Sequence, residues 1–216
     1  MEFKCVTLPN LGIIETQLSQ AIVKNLWAVV EEAKQHQVNK KKVLAGHISS
    51  SLRIDQKSKY LKEIIHDVLP RMTSKYIEAY KGLPVRHLVS NEHSKIELNL
   101  DSLWVNFQNK HEFNPIHSHG GALSFVIWMK IPTSSTEQNN LPISKNSSSK
   151  GLASNFSFIY NDILGTLRTF VYQLEKNISG YLVMFPSSLH HQVCPYYESN
   201  DTRISISGNL ALQYLS

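Results

Sequence analysis

From Ser102 to Gln213 the chain is a succession of short strand-like runs, and this most tightly limits what it can fold into. They span Ser102–Gln108, Ala122–Ile131, Asn155–Tyr160, Thr166–Tyr172, Gly180–Phe185, His191–Cys194 and Arg203–Gln213. The first part reads differently. Ile22, Leu26, Val29, Val30 and Ala33 recur at helical spacing and predict an amphipathic helix over 16–37. A second helical pattern runs through Leu61, Ile65, Val68 and Leu69, is interrupted at Pro70, and resumes through Met72, Tyr76 and Tyr80 before Gly82 and Pro84. The expected class is mainly β with N-terminal helices (α+β). Residues 1–95 form a helical region packed on the outside of a β core over 96–216, within a single domain.

At 216 residues and 42% hydrophobic content the chain can bury a real core. No stretch approaches the roughly 18 consecutive apolar residues of a membrane span, and the N-terminus lacks a signal-peptide pattern, so a cytoplasmic protein with no membrane partner is expected. Cys5 and Cys194 lie far apart and indicate neither a disulfide framework nor a zinc knuckle. The net charge of +5 is dispersed, with Lys40-Lys41-Lys42 its only run, which reads as a solvated turn.

Chemistry concentrates at two places. Asn114-Pro115-Ile116-His117-Ser118-His119 carries two imidazoles one residue apart, which alternation in a strand sends to the same face. Imidazole is the commonest metal ligand, and a third from His190 or His191 would leave coordination positions open, as catalysis requires. The polar stretch Tyr196–Thr202 predicts a hairpin joining the His191 run to a return strand from Arg203. On that strand Arg203, Ser205 and Ser207 share one face and Ile204 and Ile206 the other. A guanidinium fork beside a hydroxyl, on the face carrying metal ligands, suits a bidentate grip on a carboxylate.

The segments Leu103–Phe107, Glu112–His119, Ser124–Pro132, Phe185–Val193 and Arg203–Asn209 together resemble the 2-oxoglutarate/Fe(II)-dependent oxygenases found among cyanophages and related marine phages. The resemblance covers Leu98 to Leu212, with a weaker echo at Leu44–Ile48. It implies a double-stranded β-helix, a jelly-roll barrel with iron at one mouth. It further implies that His117 and His191 are iron ligands, that His190 points away, and that Arg203, assisted by Ser205, pairs with the distal carboxylate of 2-oxoglutarate. Asn106 and Asn209 are further candidates for cosubstrate contact. The implied reaction couples decarboxylation of 2-oxoglutarate, with dioxygen, to hydroxylation of a substrate that is a protein, a nucleic acid or a small molecule; ascorbate is a candidate reductant.

One position departs from the pattern. His119 stands where most such oxygenases place Asp or Glu. Three arrangements follow: a three-histidine iron site, a two-histidine site with His119 only nearby, or an acid such as Glu112 or Asp162 reaching in. Three histidines would also suit zinc. Rival functions are a three-histidine cupin-type metalloenzyme that does not use 2-oxoglutarate and a non-catalytic β-sandwich binding module. The polar segment 133–150 is expected to be a mobile loop near the active-site mouth. Asn146-Ser147-Ser148 and Asn177-Ile178-Ser179 match glycosylation sequons, here coincidental.

Overall fold

The computed structural model describes residues 4, 10–36, 38, 46–83, 96–145 and 151–214. The alternation expected after Arg203 is realised in β10 (Arg203–Tyr214), which lies inside a six-stranded antiparallel sheet. Its order is β1 (Ile14–Gln17), β8 (Tyr181–Pro186), β5 (Leu123–Lys130), β10, β3 (Ile96–Gln108) and β2 (Ser50–Arg53). A second antiparallel sheet follows the order β4 (Asn114–His117), β9 (His190–Val193), β6 (Phe156–Asn161) and β7 (Leu167–Tyr172). From β3 onward the chain passes back and forth between the two sheets, which is the winding of a double-stranded β-helix.

Period-two alternation divides the large sheet into two faces. Ile204 and Ile206 join Leu103, Val105, Phe125 and Ile127 in a core shared with the helices. Val126, Trp128 and Val183 point the other way and meet Phe156 and Phe158 of the small sheet. Helix α1 (Gln20–His36) covers the outer face with Ile22, Leu26, Val29, Val30 and Ala33. Leu26, Val29 and Val30 are wholly buried, each worth about 1.5–3 kcal/mol of apolar transfer.

The first helix starts later than periodicity suggests. Ile14–Gln17 instead pairs with β8, and Ser19 turns strand into helix by accepting the Ile22 amide on its hydroxyl and the Val23 amide on its carbonyl. Ser50–Arg53 likewise pairs with β3. Residues before 96 therefore supply both edge strands of the large sheet as well as helices. Pro70 does not interrupt the second helical pattern: a π-helical turn at Ile64–Val68 leads into α2 (Leu69–Tyr80), whose first turn holds Pro70, where no intrahelical N–H is needed.

Two further expectations are corrected. His191 and Arg203 do not belong to one hairpin, because β9 pairs with β4 and β6 whereas β10 pairs with β3 and β5. The linker crosses between sheets, held by the fully buried Tyr196, whose one hydroxyl proton lies between the carbonyls of Gln108 (2.9 Å) and Asp201 (2.6 Å). The described part of the 133–150 segment is not an open loop. It forms α3 (Ser135–Asn139) and α4 (Pro142–Lys145), and Gln138 is buried with bonds to the Tyr197 carbonyl and amide. Lys40–Lys42, Cys5 and the Asn146 sequon lie outside the described residues.

Candidate metal centre

His117 ends β4 and faces His191 of β9 directly across the strand pair. His119 lies two residues further on, beyond the strand, in a turn whose backbone is tied by the His119 amide to the Ser187 carbonyl at 2.8 Å. Strand alternation therefore accounts for only part of the convergence; the turn supplies the rest. Gly121 follows at φ +98, and a Cβ there would lie 2.8 Å from the Leu210 carbonyl oxygen.

One ligand atom from each of the three histidines lies within 4.8 Å of the other two. The His119 and His191 Nε2 atoms are 3.2 Å apart, close to the ~3 Å expected for two nitrogens at right angles on a cation about 2.1 Å away. The Nδ1 atoms of His117 and His191 meet the carbonyls of Pro115 (2.7 Å) and Leu189 (2.9 Å), which fixes the rings with Nε2 as the free lone pair. The residues present thus fit a metal ion held by three imidazoles.

No acid completes the site among the described residues. The Glu112 carboxylate accepts from the Ser49 and Asn109 amides, and Asp162 caps the β6–β7 turn through Leu164 and Thr166 and pairs with Arg168. His190 is exposed on the opposite face of β9. Burial lowers the basicity of all three inward histidines: His191 falls to about 3 and His119 to about 4, with repulsion from His117 adding to both, and His117 falls as well. The imidazoles are therefore neutral and available as ligands at neutral pH.

The centre opens on a cavity of 160 Å³ between the two sheets. Its large-sheet wall carries Trp104, Asn106 and Gln108 of β3 and Arg203, Ser205 and Ser207 of β10. The change of sheet sets Arg203 and His191 on opposite walls. Arg203 is 2% exposed, yet no carboxylate among the described residues pairs with it. Its partners are neutral: the Gln108 Oε1 at 3.2 Å, the Ser154 carbonyl and hydroxyl, and the Tyr196 ring at 5.3 Å. Burial pushes its guanidinium down to about 10, so it remains charged at neutral pH.

Asn106 accepts from Ser51 on its Oδ1 at 2.7 Å, which leaves its amide hydrogens for a ligand. Asn209 is placed elsewhere. It does not line the cavity, and its amide joins Ser102 to Ser124. Six residues along a strand carry it about 20 Å from Arg203, too far to share a small ligand. Sequence reasoning overlooked Gln108, Ser154 and Tyr196. Gln108 shares the face of Trp104 and Asn106 and could have been found by alternation; nothing local marks Ser154.

A sequence model of the family described as "Putative 2OG-Fe(II) oxygenase" matches residues 102–209, half of the chain, and spans every one of these cavity-wall and ligand residues. The chain belongs to this family. It is an oxygenase that uses Fe(II), 2-oxoglutarate and dioxygen, which sets aside the non-catalytic binding module. Among curated proteins no relative is found. Solved structures of similar fold include a Pseudomonas putida prolyl-4-hydroxylase (12% identity, 93% of this chain and 92% of that one, TM-score 0.54). A Trichoplax adhaerens prolyl hydroxylase crystallised with a hypoxia-inducible-factor peptide fragment is another (13%, 94% and 83%, 0.51). The α-ketoglutarate-dependent epimerase SnoN of nogalamycin biosynthesis is a third (12%, 95% and 78%, 0.57). At these identities they establish that the oxygenase has the double-stranded β-helix fold. None of its helices among the described residues is long and apolar enough to cross a membrane.

Proposed function

We propose that His117, His119 and His191 hold the Fe(II) of this oxygenase and that Arg203, with Ser205, holds the distal carboxylate of 2-oxoglutarate. The observation that carries this reading is the buried guanidinium without a counter-charge, facing three neutral imidazoles across one cavity. A buried unpaired cation is costly unless an anion completes it, and a dicarboxylate bridging to a metal on the opposite wall does so. Fe(II), when bound, supplies activation of dioxygen coupled to decarboxylation of 2-oxoglutarate to succinate. The chain's own part is to fix the two ends of the cosubstrate, present the Asn106 amide as a donor, and exclude water with Trp104, Phe156 and Phe185. With no carboxylate ligand the centre is one charge more positive than a two-histidine, one-acid site, which favours a dianionic cosubstrate.

Hydroxylation of a protein, nucleic-acid or small-molecule substrate is the outcome we infer, with ascorbate as a reductant that keeps the iron ferrous. We further infer, from the resemblance over Leu98–Leu212, that the oxygenase is of the kind found among marine phages and acts in the cytoplasm, where 2-oxoglutarate is a metabolite. Residues 96–216 are the oxygenase core and 1–95 its support; of the segment 133–150, the described residues 133–145 lie beside the cosubstrate end of the cavity, where Thr133 bonds to Ser154.

Anaerobic protein given Fe(II) and then 2-oxoglutarate should develop a weak visible charge-transfer band, and admission of oxygen should yield succinate. His191→Ala should abolish both. A wild-type protein that shows neither band nor succinate refutes the assignment.

A further inference from the structure

Gln108 sits at the end of β3, 2% exposed, and its side chain is pinned at both ends. Its Nε2 donates to the Glu112 carbonyl at 2.6 Å and the Cys194 carbonyl at 3.4 Å, so the amide can have only one orientation. That orientation turns Oε1 toward Arg203. On the other side of the guanidinium, Ser154 offers both its carbonyl and its hydroxyl, the latter also bonded to Thr133 Oγ1 at 2.6 Å. Ser154 is held at φ +65, a left-handed conformation that a serine adopts only when its surroundings impose it.

We propose that Gln108 and Ser154 are positioning residues forming a charge-neutral clamp that aims Arg203 at the distal carboxylate of the cosubstrate without spending its charge. The proposal rests on the reading that Arg203 binds this carboxylate. Buried arginines are ordinarily stabilised by an acid, which would cancel the field a ligand feels. Amide, hydroxyl and carbonyl oxygens accept the same hydrogen bonds but leave the whole positive charge to the ligand. The clamp therefore sets the preference for a dicarboxylate over a monocarboxylate keto acid, because only the former has a group at this end of the cavity.

The test is calorimetric titration of the anaerobic Fe(II) protein with 2-oxoglutarate and, in parallel, with 2-oxopentanoate, a keto acid of the same length lacking the distal carboxylate. Gln108→Glu places an acid against the guanidinium; Gln108→Met removes the acceptor at similar size. Ser154→Gly removes the hydroxyl while keeping the carbonyl and accepting the positive φ. Each should weaken 2-oxoglutarate binding by about 10- to 100-fold, with Gln108→Glu the most severe, and leave 2-oxopentanoate binding unchanged. If Gln108→Glu does not fold, the other two variants decide. Equal losses for both ligands, or no loss for either, overturn the clamp. Arg203→Ala separates the two layers of the argument. If it keeps the full preference for 2-oxoglutarate, the assignment of Arg203 fails; if it loses that preference while the Gln108 and Ser154 variants keep it, only the clamp fails.

Discussion

Acid should destabilise the metal-free protein through its own ligand set. In the unfolded chain an imidazole titrates near its ordinary 6.5; burial brings His119 down to about 4 and His191 to about 3. The folded-state values lie below the unfolded ones, so between pH 6.5 and those values the unfolded chain binds more protons. Stability therefore falls as pH falls through this window. At pH 5 the unfolded imidazoles are largely protonated and the folded ones neutral, a difference of about 2 kcal/mol for each histidine relative to pH 7. Together that is about 4 kcal/mol out of a typical total of about 5–15. For a chain of this size the midpoint of thermal unfolding should drop by on the order of 10 °C. The assay is thermal denaturation in chelator at pH 7, 6 and 5, for the wild type and for His119→Gln with His191→Gln. The double variant should lose most of the pH dependence. If it retains the wild-type slope, the buried imidazoles are not its source and the argument from burial is wrong.

Three further outcomes are expected. Gly208→Ala should cost about 1–3 kcal/mol in chemical denaturation, because a Cβ there would lie 2.6 Å from the Phe125 ring and 2.8 Å from the Ser102 carbonyl oxygen; an unchanged midpoint would show that the barrel wall relaxes freely. Asn209→Ala should lower stability by about 1–3 kcal/mol by breaking the Ser102–Asn209–Ser124 chain, yet leave the KM for 2-oxoglutarate unaltered; a raised KM would return Asn209 to the cosubstrate site. His190→Ala should leave Co(II) affinity intact while His191→Ala abolishes the Co(II) d–d spectrum, and the reverse pattern would swap the two residues.

The parts of the protein governed by local periodicity were legible in advance. The buried stripe of α1 falls on the expected residues, and the seven strand-like runs correspond to seven of the ten strands among the described residues. The other three are four-residue edge strands: β1 and β2, at the edges of the large sheet, were not foreseen, whereas β4, at the edge of the small one, was met only through the alternation of its histidines. β1 and β2 exist because longer neighbours, β8 and β3, pair with them, and β4 because it meets the equally short β9 across the histidines. The site divides along the same line. His117, His119, His191, Arg203, Ser205 and Asn106 all line the cavity, whereas Asn209, on the same alternating face by count, lies beyond its reach.

By itself the sequence determined which side chains share a face, because alternation along a strand and the 3.6-residue turn of a helix are properties of the backbone alone. It thereby set Arg203, Ser205 and Ser207 apart from Ile204 and Ile206, and placed His191 opposite in sense to His190. Only the tertiary structure decided which faces meet. It sent β9 and β10 to different sheets, so that the histidines and the arginine look at each other across a cavity instead of sitting side by side in a hairpin. It kept Glu112 and Asp162 at turns outside the centre, and gave Arg203 neutral partners from β3 and from Ser154. Those outcomes depend on long-range pairing and on how buried charges are satisfied, and neither is encoded in the spacing of residues along the chain.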